Sequence, residues 1–359
     1  MSNQTAEYAL NPITAPSPAR LTVGYESADG SGGATWAYRT HTPGTGWSAP
    51  RTMTTTGTAF YVDQPAIASD GAILHEVLPQ IGDPAPMIYQ EDTGRSTGRP
   101  VSLGLNYAHP AIALDRTRTS FVAAYSFGPP VAGVVVWRIP AGARSVAAPF
   151  TLEADTTTGP IEDRFGLPVV SADGSGGILA VWGHQSSNNQ TFATGPGDLR
   201  WSDYRAGKWS IPATVPNSAD QSNRYGLASA GATTTLAFTA GHFVTPATWT
   251  GQLHAESYSR GKWISDTDIE TVTDPNFQPS VAVSLAGTVA VQTQEAVVTR
   301  GPGTTYWSQG PVNPPSPTGE HCTNKSFGPI AYEQVTLDGF ADDFFTNVCQ
   351  VVGYSLARF

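Results

Sequence analysis

Charge is scarce in this chain. Asp, Glu, Lys and Arg together make up 13% of its 359 residues, and only three of them are lysine. What charge there is leans acidic, with a net charge of −10 and a pI near 5.1. A nucleic-acid partner needs a basic face to neutralise phosphates, so this balance argues against one. Long apolar runs are also missing, and none reaches the roughly 20 residues of a membrane-spanning helix. The opening MSNQTAEYALNPITAPSPAR carries no signal-peptide h-region, so the expectation of a secreted or extracytoplasmic protein rests on low charge and few lysines. No long stretch repeats apolar residues at helical spacing. Cysteine is nearly absent: Cys322 and Cys349 fit neither a zinc site nor a CxxC redox pair. A single disulfide closing the C-terminal segment is the simplest account, worth roughly 3–4 kcal/mol in the chain-entropy model. Two buried free thiols are the alternative.

What the chain has in abundance is turn formers. It holds 37 glycines and 29 prolines beside 40% apolar residues, a composition that suits many short strands joined by tight turns. An internal repeat organises them. PAIASDGAILHEV (65–77), PAIALDRTRTSFVAAY (110–125), PVVSADGSGGILAVW (168–182), LASAGATTTLAF (227–238) and PSVAVSLAGTVAV (279–291) each read as strand, polar turn and strand. LRWSDYRAGKWSIPATV (199–215) and LHAESYSRGKWISDTDIETV (253–272) add a third strand, a glycine turn and a fourth strand. WAYRTHTPGTGWSAPRTM (36–53) is a looser version of the same half. The interval of about 45–60 residues is the length of a four-stranded propeller blade.

The expected fold is therefore all-β, a single-domain β-propeller of seven four-stranded blades. The blades fall near 20–53, 61–103, 107–152, 165–215, 225–272, 277–313 and 326–359, with 7–15 supplying the last blade's missing strand. Pairing the two chain ends would remove exposed sheet edges. A monomer is expected.

PVVSADGSGGILAVW followed by LRWSDYRAGKWSIPATV resembles the bacterial sialidase-like propellers built from BNR-type repeats, as a pattern over nearly the whole chain. NYAHPAIALD and ILAVWGHQ are similar to repeats of seven-bladed polysaccharide lyases and related glycosidases. Ser27-Ala28-Asp29-Gly30 and Ser171-Ala172-Asp173-Gly174 lie between first and second strands. They are read as polar turns, with glycine supplying a positive φ.

Neighbouring blade strands are antiparallel, so the residues leading into strand one and those leaving strand two share one end of the molecule. The first group holds Asp63, Asn106-Tyr107-Ala108-His109, Asp163-Arg164, Arg224-Tyr225 and Asn276. The second holds His184-Gln185, His242 and Glu295. An aromatic recurs just before strand one (Tyr61, Tyr107, Phe165, Tyr225, Phe277, Phe327), which reads as a packing ring or as a sugar-stacking surface. His184 and His242 each read as a general base or as a rim residue bonded to a loop carbonyl. Arg164 and Arg224 read as a carboxylate clamp, which the planar guanidinium suits, or as inter-blade ion pairs. His109 beside Pro110 reads as packing. Asp338, Asp342 and Asp343 are an oxygen-rich set of the kind Ca²⁺ requires, although a solvated turn is the simpler reading and no cofactor is expected.

What the resemblance implies is a carbohydrate-active enzyme, a polysaccharide lyase or glycosidase acting at or next to an acidic sugar at the channel mouth. The substrate would be a poly- or oligosaccharide. In the lyase form Arg164 or Arg224 neutralises a uronate carboxylate, His184 or His242 removes the adjacent proton, and Tyr225 or Tyr107 protonates the leaving oxygen. Asn106, His109, Asp163, Gln185, Asn276 and Glu295 would bind the sugar. A hydrolase would instead take two carboxylates from Asp63, Asp163, Asp274 and Glu295. A lectin or adhesin, and a small-molecule cyclase using the same channel, remain as alternatives.

Overall fold

The computed structural model describes residues 13–17, 20–28, 34–42, 45–49, 51–52, 61–67, 72–78, 86–91, 98–126, 133–154, 168–172, 176–184, 197–230, 233–245, 248–259, 261–264, 268–273, 277, 279, 281–283, 287–293, 297–309, 331–332 and 356–357. These residues form strands and turns, and among them no helix is long and apolar enough to cross a membrane. The strands gather into antiparallel sheets in chain order. Sheet one is built on Ile13–Ser17, Arg20–Ala28 and Ala34–Thr42, and sheet two on Tyr61–Ile67, Ala72–Leu78, Met87–Glu91 and Val101–Gly104. Sheet three comprises Tyr107–Leu114, Ser120–Ser126, Gly133–Ile139 and Phe150–Ala154. Sheet four comprises Val169–Ala172, Ile178–His184 and Asp198–Arg205, followed by Lys208–Trp209 and Ala213–Thr214. Sheet five comprises Gln221–Ala230, Thr233–Thr245, Thr248–Ser259, Lys262–Ile264 and Asp268–Val272. Sheet six comprises Val281–Val283, Val289–Gln292, Val297–Arg300 and Ser308–Gln309.

The second strands explain why the sheets stack. Ser120–Ser126 (SFVAAYS) and Ile178–His184 (ILAVWGH) do not alternate apolar with polar residues. A short, continuous run of this kind is buried on both faces, and every residue of Ser120–Ser126 is buried. Each such strand therefore needs a sheet on either side. Phe121, Ala123 and Val136 of sheet three meet Ile178, Ala180 and Trp182 of sheet four. Leu179, Val181 and Leu199 turn the other way, onto Tyr225, Leu236, Phe238 and Tyr258 of sheet five. The same pattern joins sheets two and three through Met87, Tyr89 and Trp137, and sheets five and six through Ala237, Trp249, Leu253 and Val289. Each first strand from Tyr61–Ile67 to Val281–Val283 lies against the next sheet's first strand, which is the blade arrangement expected from the repeat.

Polar bonds at a repeated position lock the stack. Tyr204, Tyr258 and Arg300 each stand opposite the start of strand two, facing Ile178, Thr234 and Val289 respectively. Tyr204 packs on Phe121 of sheet three at 4.9 Å between ring centres. The Tyr258 hydroxyl donates to Asp203 Oδ2 of sheet four at 2.8 Å, and Arg300 Nη2 donates to Ser257 Oγ of sheet five at 2.9 Å. After Tyr204 the chain reverses over Ala206 (φ 49°) and Gly207 (φ 83°), the two left-handed residues of a type I′ hairpin turn.

The N-terminus departs from expectation. Ile13–Ser17 pairs with Arg20–Ala28, from Ile13 opposite Gly24 to Ser17 opposite Arg20. Among the described residues it is the first strand of sheet one, whereas the expectation placed 7–15 in the last blade; residues 7–12 lie outside the described residues. Only two residues separate the paired ends, so this hairpin closes at far less entropic cost than pairing with the distant C-terminus. Cys322, Cys349, Asp338, Asp342 and Asp343 lie outside the described residues.

Replacing Tyr258 with Phe removes one bond to the buried Asp203 while Arg205 keeps its own at 2.6 Å. The expected loss is about 1–2 kcal/mol of stability, seen as a lower denaturation midpoint at unchanged m-value.

Candidate functional site

His184 is the last residue of its strand and stands opposite Asp198, the first residue of the strand that returns. Its Nδ1 lies 3.1 Å from Asp198 Oδ1. An ionised carboxylate only accepts hydrogen bonds, so this contact fixes the proton on Nδ1 and leaves Nε2 as the basic nitrogen. Asp198 is itself held: Thr214 Oγ1 donates to its Oδ2 at 2.9 Å, and Arg200 Nε lies 3.3 Å from Oδ1. Partial burial would raise the Asp198 pKa, but the hydrogen bonds from His184 and Thr214 and the Arg200 charge outweigh it and hold the carboxyl below the usual carboxylate range.

Facing the other nitrogen is a residue from the neighbouring sheet. Glu153 Oε1 lies 3.8 Å from His184 Nε2, and the indole Nε1 of Trp182 donates to Glu153 Oε2 at 2.5 Å. Glu153 gets there through a β-bulge. It stands opposite Val134 and Thr151 opposite Val135, which leaves Leu152 as the extra residue. Leu152 and Glu153 then both reach sheet four, the first in the buried cluster around Trp182. The bulge depends on Gly133, whose φ of 141° no L side chain adopts readily and whose Cβ would run into the Glu153 carbonyl. The His184 side chain keeps 19% of its surface accessible.

The backbone under His184 is tied from sheet five. The Gly183 N–H donates to the Tyr225 hydroxyl at 2.8 Å, and Tyr225 is 4% exposed within the core between sheets four and five. Tyr225 thus positions His184 from below. Tyr107 of sheet three, opposite Ser126, is half-buried, with its ring edge-on to Trp137 at 4.7 Å. Burial pushes its phenol pKa up. Phe277 joins the core between sheets five and six. These three members of the recurring aromatic series are packing elements. Asn106 forms a left-handed turn residue, φ 67°, ahead of Tyr107.

His242 is not at the position matching His184. Counted from the equivalent tyrosines Tyr204 and Tyr258, the residue matching His184 is Ala240, opposite Gln252. His242 lies two residues further out, exposed, opposite Thr250. His109 and Arg224 fall in the strands Tyr107–Leu114 and Gln221–Ala230, but their side chains lie outside the described residues. So do Asp163, Arg164, Gln185, Asn276 and Glu295. Glu153, Trp182, Asp198, Arg200 and Thr214 were missed from sequence. The signal for Asp198 was its pairing opposite His184, a register that the sequence alone does not fix. Among the described residues no group of three or more His, Cys, Asp or Glu side chains is arranged to hold a metal ion.

A second histidine–aspartate pair lies in sheet five. His254 Nδ1 is 3.0 Å from Asp268 Oδ1, and its ring stacks on Phe238 at 5.1 Å. Burial lowers its pKa below 6.5, only partly offset by Asp268.

No protein-family model matches the chain, and no curated protein is similar to it in sequence. Solved structures share its fold. A polysaccharide lyase, Uly1, matches with a TM-score of 0.53 at 10% identity, over 88% of this chain and 85% of that one. A Hadza microbial sialidase, Hz136, matches 84% of this chain at 11% identity and a TM-score of 0.44, and this chain spans 58% of its length. An α-L-arabinanase from Penicillium chrysogenum, complexed with arabinobiose, matches 85% of this chain and 86% of its own at 13% identity and a TM-score of 0.39. At the level of fold, the resemblance drawn from the repeats is met by the polysaccharide lyase structure.

The pH dependence of stability follows from these groups. His254 has a folded pKa below 6.5, so between the two values the unfolded chain binds more protons and stability falls as pH falls. The Asp198 contribution is present above its ordinary value of 3.8 and is lost as pH drops through the lower folded value. The melting temperature is expected to fall on going from about pH 7 to pH 5, and His254→Gln is expected to flatten that slope. An unchanged slope in the variant would exclude His254 as its source.

Proposed function

We propose that this chain is a carbohydrate-active propeller enzyme that cleaves a uronate-containing polysaccharide by β-elimination, with His184 as the base. The observation that carries this reading is an imidazole set between two carboxylates of different sheets, Asp198 on Nδ1 at 3.1 Å and Glu153 facing Nε2 at 3.8 Å. Asp198 orients the ring and faces the positive charge that forms on it, as an orienting carboxylate does for a catalytic histidine. Nε2 removes the proton next to the uronate carboxylate. The C–H electron pair becomes the new C=C bond as the bond to the glycosidic oxygen breaks. The proton passes through Glu153 to that oxygen, so the step is balanced without a further reactant. Arg164, ahead of the first strand of sheet four in sequence, and Arg224, within the first strand of sheet five, would neutralise the uronate carboxylate and acidify its neighbouring C–H. Tyr225 serves by holding Gly183.

The same reading takes the propeller as seven-bladed. In support, Ala331–Tyr332 lies against both Val281–Val283 and Ile13–Ser17, the place a seventh inner strand would fill. A polysaccharide substrate suits a protein acting outside the cytoplasm.

The test is incubation with alginate, polygalacturonate and hyaluronan, following ultraviolet absorbance of the unsaturated product and the release of reducing ends. Wild type is expected to generate both, and His184→Ala to lose activity by about 100-fold or more at unchanged melting temperature. Reducing ends without the new absorbance would mean hydrolysis, and glycan binding without either would mean a lectin. Each of those outcomes overturns the elimination.

A further inference from the structure

Sheet five carries a feature that the other described sheets lack. Its second and third strands run for 13 and 12 residues, against 7 and 8 in sheet four. The register is unbroken from Thr234 opposite Tyr258 to Phe243 opposite Trp249. Because Tyr258 matches Tyr204, nearly all of the excess length lies past Ala240, at the end where His184 leaves sheet four. The hairpin therefore projects beyond the sheet on the side of the candidate site.

Among the described residues it is braced from the face turned to sheet six. Gly241 stands opposite Gly251, and the Trp249 indole lies across this pair. A Cβ on either glycine would run into that ring. Trp249 itself is 5% exposed and belongs to the core facing sheet six. The Gly241 N–H also donates to the Asp220 carbonyl at 2.8 Å. On the opposite face, strand alternation puts His242 and Thr250 in line with Ala240, Phe238 and His254, the face that packs on sheet four. Phe238 lies in that core. His242 is exposed and Thr250 partly so.

We infer that this hairpin is one wall of the substrate cleft, and that His242 with Thr250 binds the sugar residue next to the one on which His184 acts. The inference rests on the elimination proposed above. Strand rise puts His242 about 7 Å further out than the position matching His184, and packed sheets are about 10 Å apart. The two imidazoles are then separated by about 12 Å, too far to serve one reacting carbon. That distance suits an adjoining residue of a chain, with imidazole and hydroxyl meeting a carboxylate or ring hydroxyl. His242 is accordingly a specificity-determining residue for polymeric acidic substrate.

The experiment uses the full chain and compares His242→Ala with wild type on a uronate polymer and on its disaccharide. His242→Ala is expected to raise KM for the polymer by about tenfold, the loss of one charge-assisted hydrogen bond, with kcat unchanged and the disaccharide unaffected. A parallel set in the His184→Ala background follows retardation in gels containing alginate, polygalacturonate or hyaluronan, and His242→Ala is expected to reduce it. A loss of kcat on both substrates would make His242 part of the chemistry and overturn the wall. Unchanged KM and retardation would overturn the wall while leaving the elimination standing. Retardation that depends on His242 without cleavage in wild type would support the wall and overturn the elimination alone.

Discussion

The structure depends on strands that are apolar on both faces. Ser120–Ser126 and Ile178–His184 have no polar side to turn to water, so each must lie between two sheets. Small residues at the contact, Ala123, Ala124, Ala180 and Ala237, all fully buried, let those sheets approach closely. Sheets that need cover on both sides stack in series, and a series covers itself fully only when it curves back on its start. Dispersion and apolar burial supply the drive, and tyrosine, arginine and aspartate at one repeated position fix the spacing.

Chemistry then falls where the apolar run stops. At the end of strand two the core gives way to Gly183 and His184, and polar groups from two sheets can meet without being stranded in the interior. Each is satisfied by a specific neighbour: Asp198 by His184, Thr214 and Arg200, and Glu153 by Trp182. A carboxylate pair around one imidazole costs little here because the site is only partly withdrawn from water.

Much of this was legible in the sequence, for identifiable reasons. The strand–turn–strand repeat announced the sheets, and antiparallel logic placed His184 at a strand end. Glu153 was not legible, because a bulge at Gly133 and Leu152 shifts the face of its strand by one residue, and a period-two reading cannot register that. Asp198 was hidden because the sequence does not fix which residue of the third strand stands opposite His184. LAVWGHQ and LAFTAGHF both carry Gly-His, yet His242 does not match His184. The strings align by letter but not by face, since Leu179 packs toward sheet five and Leu236 toward sheet four. The N-terminal strand was legible as a strand but not in its partner, which a two-residue connection decided.

The extended hairpin of sheet five shows how such a scaffold can vary. Its outer residues His242 to Thr245 and Thr248 carry exposed side chains and take no part in the buried clusters. Its length is therefore set by nothing that the core requires. Residues can be added or lost there, two at a time so that the facing side chains keep their sides, while the stack beneath is undisturbed. A repeat architecture of this kind separates the evolution of what is recognised from the evolution of what holds the molecule together.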